Sequence, residues 1–567
     1  MAVNMLFQSY VFVFLFLPVS LAGFYLMGNK RGSRAAKLWL IAMSLWFYGS
    51  FRIEYVYLLL FSVAFNYGMA QKLREKRKCG DTVGPEMGVK SAGSGNRSGK
   101  EAEFVGRGNR GSREAEFVGG GNRSGRKAEF AEGGNRGGKD AEPGTGAAKG
   151  MLAAGIVGNL ALLFFFKYMN FFIGNWNHIS GRELPLLRIA LPVGISFFTF
   201  QQISYLVDCF RGETDGGGFV DYMLSIVYFP KLVEGPLAMS SELFPQLAGA
   251  GERKPDGERM MRGICLFIMG MLKKVILADT FGGAVDYGYA NLEIMHGWDA
   301  LLLVIFYTLQ LYFDFSGYCD MARGVSRMFG IELPVNFNSP YQARNIVDFW
   351  KRWHITLNRF FTKYLYIPLG GNRKGKARTY VNLMLVFLVS GIWHGAGWNF
   401  ILWGLLHGVL YVLTRMWQGR EKKQDAGETK GTGKIAKGIG VFLTFCYVAA
   451  AWVYFRAESV AQGNGLFRLI FANDFVRVNR NLAGYFNLDE FWYILKVLRL
   501  DKWEFGHYIL MAAFTVFSLI LVFFGKNAAE VGEKIKPRVW TAVLFALLLF
   551  WCVLTFSNVS TFLYVNF

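Results

Sequence analysis

The chain has 567 residues, 53% hydrophobic and 17% aromatic, with mean hydropathy +0.26 and net charge 62 − 41 = +21. Soluble domains are about 45–50% apolar and seldom repeat apolar runs of about 18 residues, so a soluble fold is excluded and an all-α polytopic membrane protein is expected. Lys and Arg fall in short loops between apolar runs, so the charge reports topology and not nucleic-acid binding.

In chain order, the first apolar runs are Tyr10–Met27, Ala36–Gly49 and Ile53–Ala70. The first lacks a basic lead and an A-x-A site, so it reads as a retained span. From 72 to 150 the chain turns Gly-, Arg- and Glu-rich, with a 13-residue repeat whose asparagines stand at 96, 109, 122 and 135. Such a unit cannot bury enough apolar surface to offset its ordering entropy, and disorder is expected. A docking tail for a partner or for lipid head groups is the alternative. Further runs follow at Met151–Met169, Leu191–Val207, Phe219–Leu237, Ile264–Leu277, Ala300–Phe315, Tyr380–Ile392, Phe400–Met416, Val441–Phe455, Tyr508–Phe524 and Val539–Leu554. About ten to twelve crossings are expected, with shorter runs re-entrant or interfacial.

The basic loops KRGSRAAK, RKGKAR and REKKQ should be cytoplasmic, together with the 72–150 insert. Both chain ends then face outward. The runs flanking SGIWHGAGWN (390–399) have basic outer ends, so they form a hairpin with His394 at its turn. An ionisable residue at lipid depth is a functional candidate by default. The segment Asn345–Gly371 reads as an amphipathic helix in the cytoplasmic interface. On it, Lys351, His354, Asn358 and Thr362 fall on one face at spacings of 3, 4 and 4. A tunnel would thus join an inner His354 to an outer His394, with Trp350, Trp353, Trp393, Asn399 and Gln201 as lining candidates. Ser316, Asp320 and Arg323 suggest a local polar cluster, with substrate binding or tunnel lining by Asp320 as the alternative, and Glu234 suggests a pair with Lys231 or the lining of an entry. His407 reads as a packing histidine with a partner, or as tunnel lining.

The six cysteines form no C-x-x-C pair, and metal-ligand spacing is absent. G-x-S-x-G, P-loop and HExxH signatures are absent too, which argues against serine hydrolases, P-loop NTPases and zincins. A proton-coupled transporter with midplane histidines fits the same residues.

Seven ordered segments carry a resemblance: PVGISFFTFQQISYLVDCFRG, LKKVILAD, YFDFSGYCDMARG, NFNSPYQARNIVDFWKRWHITLNRFF, YLYIPLGGNRKG, GIWHGAGWNFILWGLLHG and WVYFRA. The chain resembles the membrane-bound O-acyltransferases, most closely their bacterial branch of alginate O-acetylases and teichoic-acid D-alanyl transfer proteins. The resemblance implies a tunnel through the helices, with no bound cofactor. It implies a thioester donor in the cytoplasm, acetyl-CoA or an acyl carrier protein, and a glycan hydroxyl acceptor outside. His394 matches the family's catalytic histidine and His354 its second functional position. Asn358 stands where serine or glycine is common. An SGNH-hydrolase-type partner is implied outside the membrane. The expected regions are N-terminal spans (1–71), the insert (72–150), the catalytic core (151–457), and an outer loop with C-terminal spans (458–567). On this reading His394 acts as general base, and the Gly395–Gly397 turn or Asn399 holds the oxyanion. His354 orients the thioester or shuttles a proton.

Overall fold

In lipid each backbone N–H and C=O must be satisfied within its own segment, so apolar runs fold as helices. The computed structural model describes residues 5–81, 146–214, 217–252, 254–424, 433–472, 474–487, 496–497, 499, 505–556, 560 and 562–563; these are helical or irregular, with no strand. The repeats of the insert lie outside the described residues. The main helices are α1 (Phe12–Arg31), α2 (Ser33–Gly49), α3 (Ile53–Asp81), α4 (Gly146–Ser180), α5 (Ile195–Arg211), α6 (Gly257–Met271) and α7 (Gly297–Met328). Then come the short α8 (Ile346–Arg352) and α9 (Ile355–Phe361), followed by α10 (Lys376–His394), α11 (Trp398–Gln424), α12 (Lys434–Arg456), α13 (Gly506–Phe524) and α14 (Val539–Leu554).

Among the described residues, seven helices are long and apolar enough to cross a membrane. The other expected spans are shorter, more polar or broken. The Phe219–Leu237 run, for example, splits at Tyr228 (ψ 107°) into Phe219–Val227 and Phe229–Leu232.

The bundle centre is α7, which crosses α6 with backbones in contact. A Cβ on Gly263 would meet Gly324 O at 2.8 Å, and one on Gly270 would meet Gly317 O at 2.6 Å. Small residues permit such approach where lipid offers no hydrophobic drive. A π-helical turn, Leu272–Ala278, continues α6 and presents two lysines to α7. Lys273 pairs with Asp320 at 2.6 Å, and Lys274 pairs with Asp314 and Asp279, each at 2.7 Å. The expected Ser316–Asp320–Arg323 cluster does not form. Asp320 is taken by Lys273, and Arg323 Nε donates to Leu333 O at 3.1 Å.

The largest departure from expectation is the 345–371 segment, which is not an interfacial helix. It is broken at Trp353–His354, where His354 takes φ +47°. The chain dives: Arg344 O lies 2.7 Å from where a Cβ on Gly440 would be, near the start of α12. Ten residues on, Trp353 and His354 lie at the other end of that helix, with the Trp353 ring tilted against Trp452 at 5.0 Å between centroids. Gly440 to Trp452 spans about 18 Å of helix, so the segment is re-entrant. Its aromatics demand this: Phe349, Trp350 and Trp353 are all buried. The break is capped by Asn358, whose Nδ2 donates to Trp350 O (2.6 Å) and Trp353 O (2.8 Å). Lys351, His354, Asn358 and Thr362 therefore do not form one helical face.

Candidate active site

His394 is the last residue of α10, and α11 begins four residues later. Gly395 is required for space in the turn: a Cβ there would meet the Phe400 ring at 2.1 Å. The His394 side chain is buried among aromatic rings, with centroids at 4.9 Å for Trp393, 5.1 Å for Trp403 and 5.1 Å for Phe455.

His354 lies beside it, 6.5 Å between ring centroids. The inner and outer histidines of the sequence reading are thus one pair. The re-entrant break carries His354 to the depth of the α10–α11 turn. A non-glycine residue at positive φ costs about 1–3 kcal/mol and is concentrated at functional sites. Asn336 Oδ1 lies 3.1 Å from His354 Nδ1 and also accepts from Thr356 N–H (3.2 Å) and Thr356 Oγ1 (2.9 Å). A backbone N–H can only donate, so this oxygen is an acceptor and His354 Nδ1 carries the proton. Nε2 is then a lone-pair acceptor, and it has no hydrogen-bond partner among the described residues. Replacing Asn336 by leucine leaves Nδ1–H and the Thr356 N–H unpaired, at about 1–3 kcal/mol each. A lower melting midpoint in detergent, together with lower activity, is the expected result. Unchanged activity would show that His354 needs no orientation.

One pocket reaches His394, and a second lies farther along α10. One is lined by Lys167, Gly194, Ser196, Val233, Trp393 and His394. The other is lined by Trp350, Lys351, Asn358, Thr362, Val386 and Phe387. Phe387 and His394 are seven residues apart on α10, so the pockets touch it at levels about 10 Å apart.

This geometry pairs an acceptor-type histidine with a second histidine on the wall of one pocket. Curated relatives decide the family. A peptidoglycan O-acetyltransferase of Helicobacter pylori is 34% identical over 483 residues, covering 80% of this chain and 78% of that protein. The chain belongs to the membrane-bound O-acyltransferase family. A sequence model of that family, MBOAT, matches residues 213–455. The probable alginate O-acetylase AlgI of Pseudomonas aeruginosa is 33% identical, covering 82% of this chain and 75% of that protein. The teichoic acid D-alanyltransferase of Bacillus subtilis is 30% identical, covering 47% of this chain and 69% of that protein. The chain is accordingly an acyltransferase and a multi-pass membrane protein, and the transporter reading is set aside.

The remaining sequence candidates in this MBOAT chain separate. Trp393 borders the His394 pocket, whereas Trp350, Lys351 and Asn358 border the other. Trp353 borders neither and is packed against Phe337, Phe349 and Trp452. Gln201 Oε1 accepts from the buried Lys231 Nζ, so Lys231 does not pair with Glu234. Both Glu234 carboxylate oxygens lack partners among the described residues. His407 has no hydrogen-bond partner there either. It sits in an aromatic cage, 5.2 Å from Trp350 and 4.9 Å from Trp403. Asn399 is no oxyanion donor: its Nδ2 is spent on Tyr454 O (3.1 Å) and Ala457 O (2.7 Å), tying α11 to the end of α12. Gly395 N–H is engaged with Gly391 O at 3.4 Å.

Sequence reasoning missed Lys167 and Asn336. The first had a signal, a lone cation in the apolar run FFFKYM. The second opens the segment NFNSPYQ, but nothing local marks its role, because its partners lie 18 and 20 residues away.

Proposed function

We propose that this MBOAT chain moves an acetyl group from a cytoplasmic thioester, acetyl-CoA or an acyl carrier protein, to a hydroxyl of an extracytoplasmic cell-envelope glycan. The observation that carries the reading is the pair of pockets meeting α10 at two levels, with His394 on the wall of one and His354 6.5 Å from it between ring centroids. The basic residues at the start of α10 and the end of α11 favour a cytoplasmic position for those ends. On that topology the Phe387 pocket faces the donor, the His394 pocket faces the acceptor, the insert is cytoplasmic and the C-terminus lies outside. The relatives named for O-acetylation cover more of this chain than the D-alanyltransferases do, which favours acetyl over D-alanyl.

In the reaction, His394 takes the proton of the acceptor hydroxyl as that oxygen attacks the thioester carbonyl carbon. The tetrahedral intermediate collapses with cleavage of C–S, and the thiolate leaves toward the donor side. His394 then returns its proton to the sulfur, directly or through His354. Aromatic walls around the pair exclude water and suppress hydrolysis. An SGNH-hydrolase-type partner in the extracytoplasmic space would carry the acetyl group onward where the polymer cannot reach the pocket.

The test is mild-alkali release of acids from the surface glycans of cells expressing the chain or His394→Ala at matched membrane abundance. Acetate present with the parent and absent with the variant supports the proposal. D-alanine in its place would move the chain to the D-alanyl branch. Equal ester from both would remove His394 as base.

A further inference from the structure

Helix α10 ends with carbonyls that have no partner inside the helix, and His394 is carried on that last turn. The groups that satisfy them come from one place on α4. Lys167 Nζ donates to Trp393 O at 2.6 Å and to His394 O at 3.0 Å, and Tyr168 Oη donates to Ile392 O at 2.8 Å. Lys167 also lies 3.4 Å from Ser196 Oγ. Both residues sit in a π-helical turn, Phe164–Tyr168, in the middle of an otherwise regular helix. Such turns alter the direction of successive side chains and recur at functional sites. Farther along, Asn175 Oδ1 accepts from Trp398 Nε1 at 2.9 Å, so α4 grips both sides of the His394 turn. Among the described residues, Lys167 is moreover the one lysine, arginine or carboxylate lining the His394 pocket. A cation at a helix C-terminus also offsets the negative end of the helix dipole.

We propose that Lys167 is a positioning residue for acyl transfer. Its ammonium, with Tyr168 beside it, clamps the last turn of α10 and aims the His394 imidazole into the pocket. Lys167 lies upstream of the 213–455 family match, on a helix that brings it to the site only through folding. The inference rests on His394 acting as base in the proposed acyl transfer. A loose turn would leave His394 bound but misaligned, which slows chemistry without weakening the donor complex.

The experiment compares purified full-length parent, Lys167→Met, Lys167→Arg and Tyr168→Phe in detergent. It measures kcat and KM for acetyl-CoA with a soluble glycan fragment, and the rate of His394 modification by diethyl pyrocarbonate. Misalignment of about 1 Å can cost about 100-fold, so Lys167→Met is expected to lose about 30- to 100-fold in kcat with donor KM within about twofold. Lys167→Arg keeps the donors and should recover to within about fivefold of the parent, and Tyr168→Phe should lose about threefold. His394 modification should rise about threefold in Lys167→Met while His178 is unaffected. Parent kcat and parent modification rate in Lys167→Met would overturn the proposal. So would an arginine variant no better than methionine when Tyr168→Phe is fully active. If the parent forms no His394-dependent ester, the acyl-transfer reading fails, and the modification rates alone decide whether Lys167 holds the turn.

Discussion

Replacing His394 by alanine is expected to lower acyl transfer by about 10²- to 10⁴-fold, the range for loss of a positioned general base. The side chain is at the pocket wall, and its neighbours are aromatic rings that cannot accept a proton. His354 is 6.5 Å away between ring centroids, and its Nδ1 is committed to Asn336, so it cannot swing into the vacated place without losing that bond. The change leaves in place the main-chain carbonyls that Lys167 and Tyr168 hold, so membrane abundance should be close to that of the parent. Initial rates of ester formation at matched abundance check the expectation. A loss under threefold would mean that the proton goes elsewhere, and His354→Gln would then become the variant to measure.

Replacing Lys274 by methionine is expected to destabilise the bundle by about 3–5 kcal/mol, the cost of breaking a buried ion pair by deleting one partner. Lys274 is 1% exposed and bridges Asp279 and Asp314, both at 2.7 Å. It also reaches Ser560 Oγ at 3.1 Å and faces the Phe562 ring at 4.8 Å, so the same cation holds the C-terminal segment. Leu563 N–H donates to the other oxygen of Asp314 at 3.1 Å. Removing the cation leaves two buried carboxylates near one another. The melting midpoint in detergent should fall sharply, and Lys274→Met combined with Asp314→Leu should recover part of the loss. A methionine variant that melts with the parent would show that water or another cation reaches the site.

Much of the architecture was legible because lipid imposes it. Long apolar runs must be helical, and α1, α3, α11 and α13 fall on them; the ends of α13 agree within two residues, whereas α3 and α11 continue past their apolar runs into polar residues. The hairpin around His394 was legible for the same reason, since two runs with basic outer ends can only turn between them. Asp320 and Glu234 show the limit. Each offered a partner at helical spacing in sequence, yet Asp320 chose Lys273 on another helix and Glu234 took none among the described residues. Local spacing ranks neighbours on one helix only, whereas buried ions seek the nearest opposite charge in space.

The sequence by itself determined the all-helical membrane fold, the acyltransferase family and the turn that carries His394, because hydropathy and ordered motifs are properties of contiguous residues. Only the tertiary structure decided that residues 345–371 dive into the bundle, that His354 meets His394, and that Asn336 and Lys167 serve them. Those facts arise from packing: aromatic residues that an interfacial helix would leave half wet are buried when the segment breaks at His354. The polar groups freed by the break and by the end of α10 are then satisfied by side chains distant in the chain.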